Sequence, residues 1–60
     1  MDMEKIAQYA RGLYDAHGDK AEAEAAQKMN AAEAAGNADE AEQWRAVREA
    51  VRALRGSNQG

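Results

Sequence analysis

The chain has no cysteine, no proline and no phenylalanine, and only one histidine, one tryptophan and two tyrosines among 60 residues. Each shortage removes a class of answer. Without cysteine there is neither a disulfide nor a thiolate zinc site. One histidine with scattered carboxylates is a poor ligand set, so neither a metal nor a cofactor is implied. No apolar run approaches the ~20 residues that cross a bilayer. The N-terminal "MDMEKIAQYA" is acidic and amphipathic, unlike a signal peptide, which makes the cytoplasm the expected location. No glycine-rich phosphate loop, nucleophile elbow or pairing of base and orienting group is present, so the chain is read as a non-enzyme.

Alanine supplies sixteen residues of what apolar surface there is. The large side chains are Met1, Met3, Ile6, Leu13, Met29, Trp44, Val47, Val51 and Leu54, with Tyr9 and Tyr14 as amphipathic additions. A chain this short is one domain near the lower limit of independent folding. Scaffolds of that size usually gain stability from a disulfide, a metal or a partner chain. With the disulfide excluded, self-association or binding to something larger is the expected supplement.

Helix formers dominate, and no window alternates with the period of a strand. Three helices are expected, over residues 3–17, 20–35 and 38–55. Met3, Ile6, Ala10, Leu13 and His17 share one face of the first, with Tyr14 beside them and Asp2 as N-cap. "HGD" at 17–19 reads as punctuation: Gly18 ends one helix in a left-handed conformation, and Asp19 opens the next with Glu22 as its capping-box partner. Gly36-Asn37…Glu40 repeats the device. The second helix holds eight alanines and Met29, which suits a middle helix that two neighbours approach closely. Ala41, Trp44, Val47, Val51 and Leu54 form the seam of the third, with Trp44 as its central core residue. The expected fold is all-α, a three-helix bundle or an open helical array, with residues 1–55 as one domain and 56–60 as a flexible polar tail.

Charge is divided unevenly. Residues 1–43 carry ten acids and four bases, whereas Arg45, Arg48, Arg52 and Arg55 face only Glu49 beyond them. The four arginines share one flank of the third helix, about 100° from the centre of its apolar seam. Such a row can grip phosphates or an acidic protein surface. It can equally be solvated, or paired with Glu49, Glu22, Glu24 and Glu33. A DNA-reading helix-turn-helix is disfavoured, because the third helix would present Asp39, Glu40 and Glu42 to the phosphates. Tyr9 falls off the apolar stripe and is the aromatic expected at the surface, where such rings concentrate in interfaces.

"YARGLYDAHGDKAEAEAA…AAGNADEAEQWRAVREAVRAL" resembles a class of short, uncharacterised alphaproteobacterial helical proteins. The residues that carry the resemblance are His17-Gly18-Asp19, Gly36-Asn37 and Trp44-Arg45-Ala46-Val47, and it covers about residues 9–54. It implies helices and no activity. "GNADEAEQWRAVREAV" is also similar to a tetratricopeptide-type helix, which implies helix-pair packing only. The expected function is a small protein–protein interaction module that acts by helix-face packing, as a homodimer or on a protein partner. Candidate contact residues are Arg45, Arg48, Arg52, Arg55 and Tyr9. The second reading is a phage- or mobile-element-type inhibitor of a larger nucleic-acid-handling machine, bound through the acidic face or the arginine row.

Overall fold

The computed structural model describes residues 3–57. The molecule is an all-α three-helix bundle of α1 (Met3–His17), α2 (Lys20–Ala34) and α3 (Ala38–Ser57), with no strand among the described residues. Asp2, the expected N-cap of α1, and residues 58–60 of the expected tail lie outside them. The shortest dimension is 18 Å. A flat row of helices would be only about 10 Å thick, so the three are stacked rather than laid out as an open array.

Both turns are made by glycine, by two different devices. Gly18 has φ 60° and its N–H donates to the Tyr14 carbonyl at 2.7 Å, the simple left-handed cap. Gly36 has φ 77°; its N–H reaches Glu33 O at 3.0 Å while Asn37 N–H reaches Ala32 O at 2.9 Å. Those paired bonds are a Schellman motif. Asn37 also opens α3: its Oδ1 accepts from Glu40 N–H at 3.3 Å and its Nδ2 donates to Glu40 Oε2 at 2.6 Å. The capping box expected at Asp19 does not form. Asp19 already has helical φ/ψ of −61° and −22° and makes no side-chain cap bond. A capping side chain needs the extended backbone that Asp19 lacks.

Space around Gly36 is open enough for a Cβ, so substitution there is penalised by backbone conformation alone. Gly36→Ala should cost about 1–2 kcal/mol. In a domain of this size that lowers the melting temperature by roughly 5–15 °C in a circular-dichroism melt. An unchanged melt would show that the left-handed turn is not needed.

The core is made of Ile6 and Ala10 from α1, Ala21 and Ala25 from α2, and Val47 and Val51 from α3. Leu13, Tyr14, Trp44, Ala46 and Ala50 pack against it half-buried. Three expectations change here. The middle helix is α3, which packs extensively on both neighbours, whereas α1 and α2 meet least. The buried residues of α2 form one narrow stripe, Ala21, Ala25 and Ala32, too short in reach to hold two partners. Val51, not Trp44, is the large side chain at the centre. Helices drawn together by alanine contacts leave no room for an indole between them. Met3 is 70% exposed, lying over the outer flank of α3 beside Ala46 and Ala50.

At its C-terminal end α3 runs two residues past the expected stop at Arg55. Gly56 stays in the helix and lacks the positive φ of Gly18 and Gly36. Residues 56–57 of the expected tail are therefore helical.

Candidate interaction surfaces

Antiparallel packing of α2 on α3 brings the first turn of α2 against the last turns of α3. There the arginine row divides into two kinds. Arg55 Nη1 donates to Glu22 Oε1 at 2.7 Å, and its Nε lies 3.8 Å from Asp19 Oδ1. Glu22 is the better shielded partner, with a side chain 20% exposed. Both carboxylates thus serve an interhelical ion pair instead of capping their own helix. Arg45 Nε pairs with Glu49 Oε2 at 3.4 Å, one turn along α3. Both of those side chains are more than half exposed, and such pairs contribute little to stability.

Arg48 and Arg52 have no ion-pair or hydrogen-bond partner among the described residues. Arg48 is half-buried and Arg52 exposed. With Glu22, Arg55 and Gly56 they line an open, mainly polar groove of about 540 Å³.

Tyr9 lies against the N-terminal half of α3, whereas that groove lies along its C-terminal half. Its ring meets Trp44 edge to face, centroids 5.6 Å apart at 77°. Lys28 Nζ stands 6.0 Å from the centre of the Trp44 ring, within cation–π range. The indole is thereby fixed at the mouth of the bundle. Tyr9 is 48% exposed and borders a small notch with Gln43, Trp44 and Val47.

A third surface has no counterpart among the candidate residues read from the sequence. Along the α1–α3 seam runs an apolar groove of about 530 Å³, bordered by Ala7, Ala50, Ala53 and Leu54, with Gln8 and Arg11 at its lip. Through Ala50 it continues to Ala46 and the exposed Met3. A signal for it is present in the sequence. Ala46, Ala50 and Ala53 follow the three-four spacing of a second apolar stripe, displaced from the Val47/Val51 seam.

"HGD" is punctuation with one addition. His17 Nδ1 lies 2.9 Å from Glu24 Oε2, tying the end of α1 to the second turn of α2. Both side chains remain well exposed. Among the described residues no three acidic or histidine side chains gather as metal ligands would, and no helix is long and apolar enough to cross a membrane. Comparison with family models, with curated proteins and with solved structures finds no match for this chain.

Proposed function

We propose that the chain is a non-enzymatic cytoplasmic interaction module that works by helix-face packing, with a second copy of itself as the simplest partner. The observation that carries this is the apolar α1–α3 groove. It leaves Ala7, Ala53 and the 70% exposed Met3 facing solvent in a protein whose largest fully buried side chain, among the described residues, is a valine. Burying apolar surface is worth about 25 cal/mol per Å². A second chain seated on the seam therefore adds what the thin internal core lacks. In a dimer with twofold symmetry the groove would meet its own copy.

Ala7 and Ala53 are exposed in the monomer, so a charge at either position leaves the internal core untouched. Sedimentation of the wild type should show a species heavier than the 6.5 kDa chain, and Ala7→Glu/Ala53→Glu should sediment as the chain alone. A wild type that stays monomeric at every concentration would remove self-association. An association unaffected by the two glutamates would move it to another face.

A further inference from the structure

We infer that the groove between the start of α2 and the end of α3 is a carboxylate-binding site. Arg48 and Arg52 there receive an acidic helix of a partner protein. This site lies on the α2 flank of α3, away from the α1–α3 groove, and does not depend on self-association.

The argument starts from like charges. Arg45, Arg48, Arg52 and Arg55 stand three, four and three residues apart, so each guanidinium has a like neighbour one turn away. Like charges at those spacings destabilise a helix. Two of the four are relieved inside the molecule, Arg55 by Glu22 and Asp19, and Arg45 by Glu49. Arg48 and Arg52, one turn apart between them, are not. The fold therefore carries an unrelieved pair of cations beside an open, mainly polar groove.

Geometry narrows the ligand. Arg48 to Arg55 spans two helical turns, about 10 Å at 1.5 Å per residue. Carboxylates three and four residues apart on another helix repeat with the same period. Each can accept the two-pronged donation that a guanidinium fork offers. Half-burial of Arg48 and the ion pairs of Arg55 restrict two of the three arginines beforehand, which lowers the ordering cost of binding.

Charge elsewhere selects a short acidic helix over an extended polyanion. Residues 1–43 hold ten acids against four bases; Glu22 lines the groove and Asp19 stands beside Arg55. A nucleic-acid duplex would be repelled by that surface over a Debye length of about 8 Å. Two or three carboxylates on one helix face stay within the groove, where Arg48, Arg52 and Arg55 outnumber the one lining carboxylate, Glu22.

The test uses the full chain and three probes: an alanine-based helical peptide with glutamates at three-four spacing, a peptide of the same composition with the glutamates moved off one face, and a short DNA duplex. Calorimetry at low salt should show the matched peptide binding better than the permuted one and better than DNA. Arg48→Gln/Arg52→Gln should weaken that binding about tenfold, as expected for two ion pairs at the protein surface, one of them half-buried. Glutamine keeps most of the aliphatic stem, so packing is retained.

Stability gives the second readout. The double variant should melt at or slightly above the wild-type temperature, because a repulsion is removed, whereas Arg55→Gln should melt lower. Equal binding of the two peptides, tighter binding of DNA, or an unweakened double variant would overturn the assignment. So would a double variant that melts below the wild type, since the two arginines would then be satisfied within the fold. Ala7→Glu/Ala53→Glu should keep the peptide affinity, which separates this site from the self-association surface.

Discussion

Ile6→Ala should leave much of the protein unfolded at room temperature. Ile6 is 4% exposed and is the only large buried side chain that α1 contributes; its buried companion Ala10 adds little area. Removing a buried isoleucine down to Cβ costs about 2–5 kcal/mol. A core of this size rarely supplies more than about 3–5 kcal/mol in total. Loss and reserve are of the same order, so the folded fraction falls from nearly all to a minority or thereabouts. Far-UV circular dichroism should show one transition losing most of the helix signal, because α2 and α3 alone keep only alanines and two valines as buried contacts. Met3→Ala, on the same helix but 70% exposed, is the control and should move the melt by less than about 0.5 kcal/mol equivalent. If Ile6→Ala melted with Met3→Ala, α1 would have to be held by its half-buried Leu13 and Tyr14.

Much of this fold was legible because its boundaries are written in residues with local physics. Gly18 and Gly36 are recognisable as helix ends because a left-handed residue is needed there, and both take positive φ. Asn37 and Glu40 cap α3 as their spacing predicts. Asp19 and Glu22 show the same spacing and do something else. The capping box is a local preference worth about 1 kcal/mol, and here it is not taken: Asp19 has helical φ/ψ, and Glu22 accepts from Arg55, a contact that exists only where α3 packs on α2. Trp44 was misplaced for a related reason. Periodicity puts it on the inward face correctly, but how deep a residue sits depends on how closely the other helices approach. That distance is set by the alanines opposite.

The surfaces were legible in part. The 100° displacement of the arginines from the α3 seam is a property of the helix alone. Which of them stay unpaired is not, because Arg55 finds its partner 33 positions away in the chain. Tyr9 lies off its stripe and is half exposed, as the pattern indicates, yet its edge-to-face contact with Trp44 depends on how α1 crosses α3. The α1–α3 groove went unread because alanine is ambiguous. Ala21, Ala25 and Ala10 are fully buried while Ala7 and Ala53 are exposed, and nothing in the residue type separates them.

That ambiguity makes Ala25→Leu the sharpest test of how the bundle is held together. Leucine is nearly as good a helix former as alanine, and it would bury more apolar surface if there were room. Ala25 is 0% exposed, in the stripe through which α2 meets α3. If the spacing of those helices is set by alanine contact, three further carbons cannot be seated without displacing one helix. Overpacking of that kind costs about 1–3 kcal/mol, a fall of roughly 5–20 °C in melting temperature for so small a domain. Ala23→Leu, exposed on the same helix, should leave the melt in place. A wider gap should also carry Glu22 away from Arg55, now 2.7 Å apart across the same interface. Arg55→Gln should then be destabilising in the wild type and close to neutral beside Ala25→Leu, a coupling that a double-mutant cycle reads directly. Should Ala25→Leu melt higher than the wild type, the interface has slack, and the alanines of α2 do not set the distance at which the ion pair forms.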